Sequence, residues 1–385
     1  MANSRTRIQP MEFRQQEVGY VMERWRAADS CSLVGVGSVG KSNLLQHLSE
    51  PRVQSFYMKD VAGGKSFKSI IIDPSMLGPL PGNALDNEPV RCWAGYELMM
   101  HRLFLAFYPF DDYLEPDDIR VFYETYQALQ DGTNPLYAYM GLRYFELGLE
   151  LFMKRGIQIV FMFDEFEEML KQLPVKFFLT LRGLRDANKK QLSYLTFTRS
   201  PLPDVTDRLN IDSLEIEPFL ELFTDNVVFV GPYNENHARN MLQDLVKRNS
   251  KKYDAYTLDF LLWATGRYAG LMRSGFRSLD LIGSLEPNTV MTMSDQIVRD
   301  LASKRPVRME CETIWKSLTN KEQVLLRAFA SPKPDIDPND TDTQQVFAVL
   351  QQKKLISVQG NRVVIEPPLF YTFIINNPSG LAESD

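Results

Sequence analysis

Short apolar runs alternate with amphipathic stretches over residues 11–230. The apolar runs predict strands at residues 31–36, 68–73, 157–163, 192–198 and 226–230. Apolar side chains at three- and four-residue spacing predict helices at residues 11–28, 41–48, 89–109, 134–155 and 174–188. The run 157–163 is almost wholly apolar, as expected of a central strand covered on both faces. Strands that alternate with helices in this way predict a three-layer α/β fold around a parallel sheet.

The pattern changes after residue 231. Residues 234–303 show helical spacing alone and predict an all-α segment. Three helices and two short strands are then predicted at 311–317, 319–330, 343–353, 355–358 and 362–366. Three helices followed by a hairpin are the outline of a winged helix. The segment 331–342 is the most loop-like, and the acidic run at 111–118 is interpreted as a solvated connector.

Composition and charge narrow the class of protein. The chain has 385 residues, enough for two or three domains, and 44% of them are hydrophobic. Its net charge of −6 excludes a protein that coats nucleic acid through bulk charge, whereas a local basic patch is compatible with it.

Cysteine usage and hydropathy indicate the compartment. Cys31, Cys92 and Cys311 are too few and too far apart for a disulfide scaffold or a Cys-rich zinc site, and they favour a reducing compartment. No apolar run approaches the ~20 residues of a membrane helix, and the N-terminal sequence lacks the apolar core of a signal peptide. We therefore expect a cytoplasmic protein with no membrane partner.

Residues 35–42 read Gly-Val-Gly-Ser-Val-Gly-Lys-Ser and match the phosphate-loop pattern G-x-x-x-x-G-K-[ST] at every defined position. Glycines let backbone N–H groups turn toward phosphate oxygens, and the following helix adds its positive dipole end. Lys41 is expected to reach the β- and γ-phosphates of ATP, and the Ser42 hydroxyl to bind Mg²⁺. The alternative is a glycine-rich turn that only makes a sharp corner. The predicted nucleotide-binding residues here are Gly35, Gly37, Ser38, Val39, Gly40, Lys41, Ser42 and Asn43.

The apolar run 157–163 ends in two adjacent acids, Asp164 and Glu165. Asp164 is expected to hold Mg²⁺ through water, and Glu165 to polarise the attacking water as a general base. The alternative is that these acids open the next helix, where the helix dipole favours them. Glu167 and Glu168 are interpreted in that second way.

Eight blocks carry a family resemblance, in the order GVGSVGKSNLLQHL (35–48), FMFDEFEEML (161–170), FFLTLRGLRD (177–186), LSYLTFTRSPL (192–202), IEPFLELF (216–223), VGPYNENHARNML (230–242), ATGRYAGLMRSGFRSL (264–279) and VVIEPPLFYTFI (363–374). Through them, about residues 13–375 resemble the bacterial AAA-like ATPases of the STAND type, signal-transduction ATPases related to the AAA+ and origin-recognition ATPases. The resemblance implies a P-loop NTPase three-layer parallel sheet, an all-α lid domain and a C-terminal winged helix. The implied boundaries are 1–28 for an N-terminal helical segment, 29–230 for the P-loop ATPase domain, 231–304 for the lid and 305–385 for the winged helix.

The resemblance also implies roles for residues outside the phosphate loop. Thr198 and Arg199 stand where the family keeps a sensor of the γ-phosphate, so that Arg199 joins Glu165 and Lys41 in the predicted catalytic set. Pro232 matches the proline that contacts adenine before the lid. An ordinary exposed arginine and a plain linker proline are the alternatives. The family's opening Phe-x-Gly-Arg-Glu is kept only at Phe13 and Glu17.

Four further arginines have two interpretations each. Arg182 and Arg185 follow the metal-binding strand and would act as arginine fingers across a subunit interface, or else lie on a solvated helix face. Arg267 and Arg273 lie near the family's second sensor, or else are ordinary surface residues of the lid.

Three functions fit these features. The first is a regulatory switch that binds ATP and Mg²⁺, and whose ATP and ADP states differ in binding a protein partner or effector or in forming a homo-oligomer. The second is a DNA-acting ATPase, a loader or transposition regulator, with its winged helix on DNA. The third is a nucleotide-dependent scaffold without meaningful turnover. The pair of Asp164 and Glu165 argues against the scaffold, because a pure binder has no use for a water-activating acid.

Charge in the predicted winged helix disfavours DNA as its ligand. Residues 301–385 contain ten Lys or Arg and ten Asp or Glu, whereas DNA-binding modules carry a basic excess. The stretch 343–353 has almost no charge and four large apolar residues, which suits burial. Lys353 and Lys354 at its end could touch a DNA backbone, but two lysines are weak evidence for a DNA-binding helix.

Overall fold

The computed structural model describes residues 8–58, 66–78, 87–131, 136–251, 253–281, 287–331, 337, 340–360 and 362–377. These residues form two compact units. We call the described residues of 1–33 and 42–228 the sheet unit, and those of 34–41 and 229–385 the C-terminal unit. Most of the predicted loop 331–342 and the turn residue Asn361 lie outside the described residues.

A five-stranded sheet is built from the predicted apolar runs. Its strands are β1 (Cys31–Val34), β2 (Phe67–Ile72), β3 (Gln158–Phe163), β4 (Leu192–Thr198) and β5 (Val227–Phe229). Their order in the sheet is β2-β3-β4-β1-β5. β3 pairs in parallel with both β2 and β4, with Phe161 opposite Ile70 and Tyr194. The predicted α/β fold is therefore confirmed.

Strands β3 and β4 are buried along their whole length. A strand covered on both faces favours apolar side chains along its length, which is why β3 reads as a continuous apolar run. Because parallel strands end at the same edge of a sheet, the polar residues that follow β3 and β4 are neighbours at that edge. These residues are Asp164 and Glu165 after β3, and Arg199 after β4.

The helices of the sheet unit are α1 (Gln15–Arg26), α2 (Lys41–Leu48), α3 (Pro51–Tyr57), α4 (Glu88–Phe107), α5 (Pro116–Gln130), α6 (Tyr137–Met153), α7 (Phe166–Gln172), α8 (Val175–Ala187), α9 (Leu202–Arg208) and α10 (Ser213–Leu220), with Lys41 itself counted in the C-terminal unit. The interpretation of 111–118 as a connector is wrong in its second half. Pro116 is at the start of α5, and Asp117 and Asp118 lie in its first turn. Acids are favoured there by the dipole, and proline by its fixed φ.

The C-terminal unit is mainly helical. Its helices are α11 (Glu235–Asn249), α12 (Ala255–Ala264), α13 (Ala269–Ser278), α14 (Pro287–Ser303), α15 (Arg305–Lys316), α16 (Asn320–Ala330), α17 (Thr341–Gln352) and α18 (Pro368–Asn376). Strands β6 (Ile356–Gln359) and β7 (Arg362–Ile365) form an antiparallel hairpin after α17. Three helices and a hairpin thus follow residue 304 in the predicted order.

The expectation that the predicted recognition stretch is buried is wrong for most of its apolar residues. Of the four large apolar residues of α17 only Leu350 is buried, because the helix packs mainly on α16 and leaves the others at the margin of that contact. Lys353 does not face outward: it is 1% exposed, and its ammonium lies 2.7 Å from a carboxylate oxygen of Glu322. An ammonium held in this way is unavailable to a DNA phosphate.

No helix in the described part of the chain has the length and apolar character needed to cross a membrane.

Candidate nucleotide-binding site

The predicted site residues divide between the two units. Loop residues 35–41 and Pro232 belong to the C-terminal unit, whereas Ser42, Asn43 and the residues that follow β3 and β4 belong to the sheet unit.

In the loop between β1 and α2, Gly40 and Gly35 are constrained for different reasons. Gly40 has φ +96°, a region that side chains with a Cβ rarely adopt. At Gly35 a Cβ would lie 3.0 Å from the carbonyl oxygen of Val230 and 3.1 Å from Val39. Ser38 also has a positive φ, 69°. A turn that contains positive-φ residues directs neighbouring backbone amides toward one side, which is the geometry of an anion-binding concavity.

Tyr233 packs against one side of the loop. Its hydroxyl lies 2.9 Å from the position that a Cβ on Gly40 would occupy, and the residue is 2% exposed. The backbone N–H of Tyr233 donates to the carbonyl of Arg267 at 3.1 Å. Pro232, the predicted adenine contact, is half-buried and directly precedes Tyr233. It therefore lies beside a residue that touches the phosphate loop.

Lys41 begins α2, and its ammonium turns back into the loop. It donates to the carbonyl oxygen of Gly35 and, at 3.3 Å, to that of Val36. Ser42 is exposed and Asn43 is half-buried at the start of the same helix. The Lys41 side chain, which was predicted to reach the phosphates, thus donates hydrogen bonds to two carbonyl oxygens of the loop itself.

Two helices of the C-terminal unit hold the loop by hydrogen bonds that the sequence did not predict. At the N-terminus of α13, the N–H of Gly270 donates to the carbonyl of Ser38 at 2.8 Å, and the N–H of Leu271 donates to its Oγ at 3.0 Å. Just after α15, the Ser317 Oγ accepts the N–H of Gly37 at 3.2 Å. A Cβ on Gly37 would lie 2.6 Å from the Thr313 Cγ2, so only glycine fits there.

In the sheet unit, the chain turns sharply where β3 ends. Glu165 adopts φ 41° and ψ 51°, a left-handed conformation that is costly for a residue with a Cβ. The Asp164 Oδ1 accepts the N–H of Glu165 at 3.0 Å, and the next residue, Phe166, is fully buried. Phe166 packs on Phe178 and Phe219, with ring centroids 5.6 and 5.9 Å away. The turn is therefore anchored on both sides, and Glu165 is exposed at the edge of the sheet.

The residues after β4 meet this turn. Arg199 Nη2 lies 3.3 Å from Glu165 Oε1, and the Arg199 N–H donates to the buried carboxylate of Glu167. Thr198 is fully buried, and its hydroxyl has no hydrogen-bond partner within the part of the chain described. The structure thus brings together four of the predicted residues of this unit, namely Asp164, Glu165, Thr198 and Arg199.

Each unit offers groups of the kind that a magnesium nucleotide requires. The C-terminal unit has the glycine loop with its positive-φ residues, and the sheet unit has the buried Thr198 hydroxyl, the half-buried Asp164 and the exposed Glu165. No cluster of three or more His, Cys, Asp or Glu that would hold a metal by itself occurs among the described residues. A Mg²⁺ ion here would depend on Ser42, Asp164 and the phosphates themselves, as is usual for this metal.

Of the other candidate arginines, Arg182 and Arg185 have side-chain partners within their own unit. Arg182 pairs with Asp186 at 2.6 Å and with Glu221 at 3.3 Å, and its hydrogen bond to Asp186 lowers the pKa of that carboxyl. Arg185 lies 3.9 Å from Asp29. The Arg267 carbonyl accepts a hydrogen bond in the lid, and Arg273 is exposed on α13.

The buried cysteine next to the loop takes no part in this chemistry. Cys31 lies on β1, and burial raises the pKa of its thiol to about 12. A thiol is nucleophilic only as the thiolate, so Cys31 stays neutral and inert at physiological pH.

No protein-family model and no curated protein matches the chain. Among solved structures it is similar to a Walker-type ATPase of Pyrococcus abyssi at 14% identity, with 96% of this chain and 99% of that chain covered and a TM-score of 0.48. It is similar to the ORC2 protein of Aeropyrum pernix, described in ADPNP–ADP complexes, at 12% identity, 96% and 95% coverage and a TM-score of 0.47. It is also similar to Cdc6p from Pyrobaculum aerophilum at 12% identity, 97% and 96% coverage and a TM-score of 0.44.

Within the structure itself, the parallel sheet, the glycine loop after β1 and helix α2 make a P-loop NTPase fold, as the sequence predicted. What this fold does in the chain is decided by its own side chains.

Proposed function

We propose that the protein is a regulatory ATPase switch of the STAND/AAA type. It binds ATP with Mg²⁺, hydrolyses it slowly, and alters its binding to a protein partner or to further copies of itself. The observation that carries the proposal is the hydrogen bond from the Gly37 N–H to Ser317, together with the two amides that Ser38 accepts. The backbone that would hold phosphate is the backbone that α13 and α15 hold, so phosphate binding and helix contacts are coupled.

The hydrolytic part of the proposal is supported by the sheet edge. The Ser42 hydroxyl and, through water, Asp164 would hold Mg²⁺, which would neutralise charge on the phosphate oxygens. Glu165 is exposed where it would polarise water as a general base. Arg199 would read the γ-phosphate, because a guanidinium can donate two hydrogen bonds to one phosphate group.

Hydrolysis is tested by steady-state turnover of the full chain with Glu165→Gln and Lys41→Ala. Glu165→Gln should keep ATP bound and slow hydrolysis by roughly 10²–10⁴-fold, the usual contribution of a positioned base. Lys41→Ala should lose more than about tenfold in nucleotide affinity, since a charge-assisted contact contributes roughly 1.5–3 kcal/mol. Lys171→Ala is the control, because Lys171 is a surface lysine paired with Glu168 at 2.8 Å.

Coupling is tested by Ser317→Ala, with the exposed Ser303→Ala as the matched control. Loss of one neutral hydrogen bond to the loop should speed ADP release roughly two- to tenfold, measured by displacement of a fluorescent ADP analogue. The molecular mass in solution should differ between ADP and a non-hydrolysable ATP analogue.

Other results would favour other functions. Absence of turnover in the parent chain would favour the nucleotide-dependent scaffold. Turnover that rises on addition of duplex DNA would favour the DNA-acting ATPase. Equal ADP release by Ser317→Ala and the parent would contradict the coupling, whatever the rate of hydrolysis.

A further inference from the structure

Glu167 is more deeply buried than its position at the start of a helix explains. It lies in the first turn of α7 and is 4% exposed. The helix dipole favours an acid there, but an exposed carboxylate obtains that benefit without losing its hydration. Glu168, the next residue, is such a case, since it is half-exposed and paired with Lys171. Burial of Glu167 therefore needs a specific partner.

That partner is the backbone of Arg199. The Glu167 Oε1 accepts the Arg199 N–H at an N···O distance of 2.5 Å. A hydrogen bond to an ionised carboxylate is stronger than one between neutral groups, and it is stronger still when buried. The bond joins the turn after β3 to the turn after β4, across 32 residues of sequence.

The bond fixes the backbone from which the Arg199 guanidinium extends. That guanidinium lies 3.3 Å from the carboxylate of Glu165, and 36% of the Arg199 side chain is exposed. A long exposed side chain has many rotamers, so its placement depends on how firmly its own backbone is held. Glu165 is held separately, through Asp164 and the buried Phe166. Glu167 is thus the link that sets the arginine opposite the glutamate.

We propose that Glu167 is a positioning residue for ATP hydrolysis, which acts through Arg199. The inference rests on the proposed ATPase function and deepens it. Glu167 touches neither the phosphates nor the attacking water in this role. It holds the Arg199 N–H, so that the guanidinium meets the γ-phosphate and Glu165 in one arrangement. Such a residue affects turnover and the preference for ATP, and leaves ADP binding unchanged.

The experiment compares Glu167→Ala with Glu168→Ala, which removes the same charge from the same helix turn. Glu167→Ala should lower kcat by about tenfold or more, because the Arg199 N–H loses its acceptor and the arginine loses its support. Its Kd for ADP should match that of the parent. Glu167→Gln keeps a side-chain carbonyl at the same reach and should restore most of the turnover. Glu168→Ala should turn over as the parent does.

A double variant separates positioning from general structural support. In Glu167→Ala/Arg199→Ala, kcat should fall no further than in Arg199→Ala alone, since residues that act as one unit are not additive. If Glu167→Ala is insoluble, Glu167→Asp replaces it, because the shortened side chain keeps its charge and loses its reach.

The proposal is overturned if the losses of the two single variants add, or if ADP affinity falls together with kcat. It is also overturned if Glu168→Ala loses as much as Glu167→Ala. Parent turnover and Glu165→Gln are measured in the same assay. When those two behave as the proposed function expects, equal kcat for Glu167→Ala and the parent rejects the positioning role alone.

Discussion

At the scale of single residues, Glu165 shows how a carboxylate is kept exposed at a sheet edge. Its left-handed backbone costs on the order of 1–3 kcal/mol, and buried Phe166 together with the Asp164 carboxylate holds the turn in place. An ordinary helix start would avoid this cost. Here 58% of the Glu165 side chain is exposed, and its carboxylate lies 3.3 Å from Arg199. Such exposure suits a group that is proposed to meet a ligand.

Arg199→Ala should leave ADP affinity nearly intact and reduce the preference for ATP over ADP. A residue that reads the γ-phosphate contacts nothing in the diphosphate state, so only the ATP complex loses a contact. Titration calorimetry with ADP and with a non-hydrolysable ATP analogue measures the two affinities. Equal losses for both nucleotides would assign Arg199 to the α- and β-phosphates or to the fold.

At the scale of elements, the C-terminal unit contains a buried ion pair. The ammonium of Lys353 and the carboxylate of Glu322 are 0% and 2% exposed and 2.7 Å apart. Glu322 also caps α16, where its carboxylate accepts the N–H of Thr319 at 2.8 Å. Two charges out of water are tolerated because each satisfies the other.

Lys353→Met should lower the free energy of unfolding of the C-terminal unit by about 3–5 kcal/mol, because it leaves a buried carboxylate without its cation. The exposed neighbour provides the control: Lys354→Met should change stability by less than about 0.5 kcal/mol. Differential scanning calorimetry of the full chain follows the transition. Adding Glu322→Gln to Lys353→Met should restore part of the loss. Unchanged unfolding of Lys353→Met would mean that the ion pair contributes no stability.

The strands were predictable and several helices were not, for physical reasons. The apolar runs 157–163 and 192–198 predict β3 and β4 to within one residue. Among the described elements of this length, no other is buried on both faces. Helix α5 was missed because Asp117 and Asp118 were interpreted as part of a solvated connector. They lie instead in the first turn of the helix. Pro116 at the start of α5 is the signal that would have found it.

At the scale of the whole chain, the phosphate loop was predictable as a motif but its partners were not. Gly37 and Ser317 are 280 residues apart, and nothing in the pattern around Ser317 distinguishes it from an ordinary residue after a helix. Position 37 therefore requires glycine for a reason besides the phosphate-loop pattern, namely the close approach of Thr313. A motif shows which groups are available, whereas long-range packing decides what they touch.

Duplex DNA should bind the full chain weakly, without a steep dependence on salt. The predicted winged helix has no basic excess, and Lys353 is withdrawn into its ion pair with Glu322. Fluorescence anisotropy with labelled duplex at two salt concentrations measures this. Submicromolar binding that weakens sharply with salt would contradict the expectation and promote the DNA-acting ATPase.

Helix α15 also contains a buried tryptophan, Trp315, whose fluorescence would respond to motion of the helix. Trp315 is 2% exposed, lies two residues before Ser317, and has the guanidinium carbon of Arg327 5.1 Å from its ring. Indole emission responds to nearby charge and to water, so any motion of α15 away from Gly37 should change the emission of this ring. The chain has four tryptophans, and replacing Trp25, Trp93 and Trp263 by Phe would leave Trp315 as the single emitter. Such a protein would report each nucleotide exchange in real time, without an attached dye.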